Sequence, residues 1–419
     1  VSSDSSWSSK REDDPTTTGP PPMVSQLAWL DHDEQQRRRV MRVIDQFRDE
    51  GTIDELGLGS IRDTFAGLLL PGLSTLHTRA RYMLFIPWLV KASAAEAQTS
   101  AKLAPLLRKK EYALIDSLLA GGETQGVIGG TARNKLQRLP SGMFWSATAH
   151  YGLRLHRKSI SSTLRLAYDA RRFNSRSDAS DDPGARLDGA LDGFDPRLPE
   201  APPALLESAT FTLSPHEAAY LRERICTTQD SSLFPWLFEL GIDEDAPFLW
   251  DHVGLSSLAG PLVETVDHGR RFSIAMHGAT ILYNLLLARA KSDDERIDTY
   301  SGSWDDWEAE IGSKDILGPW DLEAFWRLVH HNNPRVAPTT VTFVNTWLSE
   351  VSASRAGAAS ASAQNLIRTR EIQLKGHRAR LGTNVAGVNS WLGQSGSQLS
   401  YNWPVAVRIL RDIIDGCEN

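Results

Sequence analysis

Residues 54–89 read DELGLGSIRDTFAGLLLPGLSTLHTRARYMLFIPWL, and the rest of the chain is organised around them. Three arginines (Arg62, Arg79, Arg81) and two acids (Asp54, Asp63) stand here among Leu, Ile, Phe and Trp. Charge must therefore lie beside a large apolar core, and charges in that position need partners. Asp54, Gly57 and Gly59 mark a turn before an apolar-periodic run that begins near Ile61, with Ser60 as the N-cap of a helix reaching about Leu69. Pro71 and Gly72 break that helix. Ser74 is then expected to cap a second one, carrying Arg79, Arg81, Tyr82, Phe85 and Trp88.

Outward from this stretch, the 419 residues have room for two or three domains and a substantial core. Hydrophobics at 41% and charges at 23% are ordinary for a globular chain, whereas thirteen tryptophans are not. Their wide spacing favours use as core anchors, since each ring can bury roughly 200 Å². Cys226 and Cys417 are the only cysteines, too few for a disulfide framework or a zinc site, which points to a reducing, cytoplasmic compartment. Residues 1–22 are Ser/Thr/Pro-rich without an apolar leader, and are expected to be a disordered tail, read also as an upstream extension before Met23. The longest apolar run, 272–288, is interrupted by His277, Gly278 and Asn284, so it reads as a buried helix and not a membrane span.

The chain reads as mainly α throughout. Asp31 and Glu34 resemble a capping box opening a helix to about Glu50, with Arg38 and Arg42 on its outer face. A later helix runs from about Ala101 to Leu119. Between Thr131 and Arg172 the character changes: Arg133, Lys135, Arg138, Arg154, Arg157, Lys158, Arg165, Arg171 and Arg172 face the single acid Asp169. That block is net +8 in a chain of net −7, so the remainder carries −15. Leu139-Pro140-Ser141 opens another helix, and this helix–turn pattern loosely suggests a winged or helix-turn-helix element.

Residues 174–203, with seven acids against three arginines among Ser, Gly and Pro, read as an exposed linker. It separates an N-terminal helical region, 23–173, from a C-terminal one, 204–419. Ser214-Pro215-His216-Glu217 caps a helix there, residues 249–290 hold two helical runs, and 293–323 is an acidic belt pinned by Trp304, Trp307 and Trp320. In the final block Glu371 can pair with Arg368 and Lys375 along one helix face, leaving Arg370, His377, Arg378 and Arg380 without a local acid.

Trp29-Leu30-Asp31, DELGLGSIRD (54–63), Pro71-Gly72-x-Ser74, RARY (79–82), Pro87-Trp88, Leu139-Pro140-Ser141 and RTREIQLKGHRARL (368–381) together resemble a bacterial family catalogued only as a domain of unknown function. The likeness covers nearly the whole chain from Trp29. Leu70, Phe144 and Asn402 depart from it, where Phe, Tyr and Arg are usual; the last withdraws a charge from the Tyr401–Trp403 corner as a phosphate site. The resemblance implies no established reaction and hence no catalytic residues to carry over. It also implies relatives encoded near helicases and phospholipase-D-like proteins in defence clusters.

Chemistry-bearing motifs are otherwise sparse. His330-His331 point about 100° apart on a helix, and no HExxH, CxxC, P-loop or GxSxG pattern occurs. No metal or other cofactor is therefore expected. What remains is the basic clustering, which suits phosphate contact. The expected nucleic-acid contacts are Arg133, Lys135, Arg138, Arg154, Arg157 and Lys158, aided by Arg370, Arg378 and Arg380, with double-stranded DNA as ligand. Three readings stay open. One is a non-catalytic nucleic-acid-binding or adaptor subunit, one a protein scaffold docking a helicase or nuclease, and one an enzyme with a site around Asp54, Arg62, Asp63, Arg79 and Arg81. The same arginines could equally neutralise the chain's own acidic segments.

Overall fold

The opening stretch folds as helix, corner, helix. Helix α1 (Gly59–Leu69) buries Ile61, Phe65 and Leu69, spaced one turn apart, against the core. Its cap is not Ser60. The backbone turns at Gly57 (φ 70°), and this brings the Asp54 carboxylate back onto the amides of Leu58 (2.8 Å) and Gly59 (2.6 Å). An acid thus satisfies two open donors at the positive end of the helix. Helix α2 (Tyr82–Glu96) likewise starts later than its sequence suggests, because the Ala80 amide donates to Asp412 (2.8 Å) and not into a helical turn. Arg79 and Arg81 therefore precede α2, in the corner that Gly72 (φ 83°) opens.

The computed structural model describes residues 54–132, 136, 138–177, 192–353 and 360–419, with backbone alone at 174–177. These fall in one unit, 46–419. The expected tail, the helix of 31–50, Arg133, Lys135 and linker residues 178–191 lie outside the described residues. Among the described residues the chain is mainly α, with no strand beyond an isolated bridge between Arg154 and Phe194. No helix among them is long and apolar enough to cross a membrane.

Helix α2 is buried on every side from Tyr82 to Val90, as its unbroken apolar run requires, and is enclosed by α3 (Leu103–Ala120), α4 (Pro140–His150) and α5 (Ile160–Ser177). Residues 192–203 of the expected linker are packed: Phe194 is fully buried, and the Pro199 carbonyl accepts from Trp88 Nε1 (2.6 Å). Helix α6 (Pro215–Thr228) carries the expected capping box, with Ser214 and Glu217 bonded reciprocally, and the short α7 (Phe234–Leu240) follows it.

The two helical runs expected within 249–290 resolve into short 3₁₀ turns and one long helix, α8 (Pro261–Lys291, 31 residues). At 1.5 Å per residue it spans about 46 Å and forms the axis of the C-terminal half. Helix α9 (Asp294–Ser313) lies along it, and Gly278 permits this, since a Cβ there would meet Trp307 at 2.1 Å. Trp307 and Trp347 donate to the α8 carbonyls of Ile274 (2.7 Å) and Ala275 (2.9 Å), so these indoles fasten the acidic belt and α11 (Pro338–Ala353) to the axis. Helices α10 (Leu322–Asn332), α12 (Ala361–Lys375), α13 (Val385–Asn389) and α14 (Trp403–Glu418) complete the fold, α14 packing on α6. One apolar core takes residues from both sides of the expected domain boundary.

Candidate ligand cleft and basic surface

Small side chains leave a cleft of about 770 Å³ between α1 and α4. Arg138, Gly142, Ser146 and His150 recur every four residues and so share one face of α4 and its approach, while Gly59, Ala66 and Gly67 line the α1 wall. Residues 395–402 and the first turns of α14, including Arg408, complete the lining. His77, at the cleft's base, accepts at Nδ1 from the Ser74 amide (3.3 Å), leaving Nε2 to donate to the Met143 carbonyl (3.1 Å). Burial drives its pKa down to about 4, against the Met143 bond, so the ring is neutral at pH 7. Burial likewise lowers His150, with Arg157 adding to the effect.

One end of the cleft abuts a buried ionic cluster. The Glu371 carboxylate, 0% exposed, accepts from the amides of Arg380 (3.0 Å) and Leu381 (2.8 Å), from Lys375 (3.2 Å) and from the Tyr283 hydroxyl (2.7 Å). Glu55 is held by Arg380 Nη1 (2.8 Å) and by a close contact with Lys375. Two carboxylates thus face two cations. Burial, with Arg380 beside it, draws Lys375 down to about 8. The expected Glu371–Lys375 pairing is present, but the other acceptor positions of Glu371 serve Tyr283 and backbone amides.

Arg370 does not reach any surface. It is 2% exposed and donates to the carbonyls of Leu56 (2.8 Å) and Thr339 (3.3 Å) and to Thr340 Oγ1 (2.9 Å), with its guanidinium 5.0 Å over the Phe343 ring. A Cβ at Gly57 would lie 2.6 Å from it, which is why the chain is bare there. The segments 54–58 and 370–381, more than 300 residues apart, are therefore one structural joint. The sequence signal for it was that Arg370 and Arg380 lacked a local acid.

The other expected contacts divide. Arg154 is buried and donates to the carbonyls of Lys158 (2.9 Å), Trp145 (3.0 Å) and, closely, His156, while stacking 4.1 Å over Trp145. It builds the loop after α4 and is not available to a ligand. Arg165 pairs with Asp169 (2.9 Å), and Arg172 donates to the Tyr168 hydroxyl (3.1 Å). Arg138, Arg157, Lys158, Arg171 and Arg378 are exposed.

The group around 54–81 is also engaged. Arg62 pairs with Asp63 (2.9 Å), Arg79 with Asp412 (2.8 Å), and Arg81 with Glu217 (2.8 Å). Burial pushes the Asp412 carboxyl up against the pull of Arg79. Asp54, Arg62 and Asp63 line the open cleft, whereas Arg79 and Arg81 bind α14 and α6 to the corner and do not. Among the described residues no three His, Cys, Asp or Glu side chains converge to hold a metal ion.

A family model described as a family of unknown function (DUF6361) matches residues 24–417. No curated protein and no solved structure matches.

Proposed function

We propose that this chain, which belongs to the family of unknown function DUF6361, is a non-catalytic nucleic-acid-binding or adaptor protein that holds the phosphate backbone of duplex DNA on the surface around α4. In this reading it serves beside a helicase or nuclease of an anti-phage assembly, which performs the chemistry. One observation carries it. Among the described residues no carboxylate lies within ion-pair distance of the charged groups of Arg138, Arg157 or Lys158, although the chain as a whole is net −7. An acidic protein that leaves these groups unmatched keeps a local positive field, and phosphates released from their counterions bind to such a field.

Fluorescence polarisation with a labelled duplex tests this. Three phosphate contacts give a salt slope near −2.7, so affinity is expected to fall about 40-fold between 50 and 200 mM salt. Replacing Arg138, Arg157 and Lys158 with Glu abolishes binding; an unchanged affinity in that variant refutes the reading.

A protein scaffold is the second reading, supported by Val385 (70% exposed), at the start of α13, and Leu392 (93% exposed), just after it, two large apolar side chains that meet solvent. Co-purification with a partner that survives nuclease treatment distinguishes it from the first.

A further inference from the structure

We infer that the cleft between α1 and α4 receives one unpaired nucleotide of a strand whose neighbouring phosphates lie on Arg157 and Lys158. This inference rests on the nucleic-acid reading above and adds to it the form of nucleic acid that is recognised.

Continuity comes first. Arg138 belongs both to the exposed basic surface and to the cleft lining, and Arg157 is close enough to His150, on the cleft wall, to act on it electrostatically. A strand that contacts Arg138 therefore reaches the cleft.

Size decides what can enter. About 770 Å³ is the volume of a small-molecule site, and it is far too small for a duplex, whose major groove alone is about 12 Å wide. The room exists because both walls are kept bare: Gly67 and Gly142 have nothing within 4 Å of where a Cβ would stand.

The lining carries three carboxylates, but Asp54 is taken up by the Leu58 and Gly59 amides, Glu55 by Arg380 and Lys375, and Asp63 by Arg62, so the chemistry these pairings leave to a ligand fits a phosphate attached to a flat, partly polar ring. Arg138 and Arg408 come from different walls, and Arg408 Nη2 also donates to the His77 carbonyl (3.3 Å), which holds it at the cleft. The amides of Gln398, Leu399, Ser400, Tyr401 and Asn402, residues that line the same cleft, have no protein acceptor among the described residues. The backbone there takes left-handed values at Tyr401 (φ 50°) and Asn402 (φ 66°), the one adjacent non-glycine pair so placed among the described residues. Open amides beside arginines suit an anionic oxygen. Leu70, Leu73 and Met143 supply apolar surface, and His150 an edge or face for a base.

The test compares three labelled DNAs on the full chain: a blunt duplex, the same duplex with one unpaired terminal nucleotide, and a single strand. The unpaired nucleotide is expected to raise affinity about tenfold, the scale of one stacked base. Gly67→Trp and Gly142→Trp, which fill the cleft from opposite walls at positions open enough to accept a ring, each bring that ratio back to about one. Isothermal titration of adenosine 5′-monophosphate reads the cleft without the basic surface, with binding expected in the native chain and lost in both variants. Equal affinity for the blunt and overhanging duplexes, with salt-dependent duplex binding intact, overturns this inference and leaves the broader reading standing. Failure of every DNA to bind overturns both.

Discussion

The joint between 54–58 and 370–381 and the surface around α4 are both rich in arginine and lysine, yet their charges have opposite fates. In the joint the buried cations are matched, Arg380 and Lys375 by Glu55 and Glu371 and Arg370 by backbone carbonyls, while Arg378 stays exposed. Around α4, among the described residues, Arg154 is consumed internally, and its donors hold the loop that presents Arg157 and Lys158 outward. The difference teaches that counting charge along a chain does not locate a binding surface; what separates structural from available cations is whether the fold satisfies them.

Breaking the joint should be the costliest change. Glu371→Ala removes the acceptor of two amides, a lysine and a tyrosine hydroxyl, leaving Lys375 to Glu55 alone in a buried setting. Removing one partner of a buried ionic network costs about 3–5 kcal/mol, measurable as a lower urea midpoint at unchanged slope. A loss below 1 kcal/mol would show that the joint is not a stabilising element.

The same contrast between satisfied and unsatisfied charge can be read through pH. The folded pKa of His77, about 4, lies below the ordinary 6.5, so its contribution is complete above 6.5 and is lost as pH falls through that value toward 4. The full shift corresponds to about 3 kcal/mol. Burial draws His277 down to about 4 as well, with the same sign, so His77→Gln should flatten the acid limb of stability between pH 6.5 and 5 without abolishing it. Thermal melts across that range check this, and an unchanged slope would count against a neutral buried ring.

Arg154 lies between the two classes. Arg154→Ala should cost about 2 kcal/mol through unpaired carbonyls and a lost cation–π contact. It should also weaken DNA binding without touching ligand, because the loop of 156–158 loses its support. Affinity falling in step with stability, and not beyond it, would reduce Arg154 to a purely structural role.

Much of the helical scaffold was legible from residues 54–89 and from periodicity, because apolar spacing and caps such as Ser214 with Glu217 act locally. The cap of the first helix and the start of the second were misplaced because the deciding groups are Asp54, folded back by a positive-φ glycine, and Asp412, more than 300 residues away. The candidate site was half legible. Arg138, Arg157 and Lys158 followed from a local surplus of charge, but nothing in their neighbourhood could reveal that Arg154 and Arg370 turn inward. The cleft itself was invisible in sequence, since it is made by glycines and small residues on helices that meet only in three dimensions.

The smallest effect on stability is expected where the proposed function is greatest, and this sharpens the contrast between the two regions most directly. Arg157 and Lys158 are exposed and their side chains touch no carboxylate among the described residues, so Arg157→Ala with Lys158→Ala should change stability by no more than about 0.5 kcal/mol. Removing two phosphate contacts should nevertheless make the salt slope of duplex binding shallower by about 1.8. A structural role would give the reverse, with a lowered unfolding midpoint and an unchanged salt slope. Because the two measurements move independently, the pair assigns these cations either to the ligand or to the fold, and Glu371→Ala, measured the same way, supplies the opposite pattern as its control.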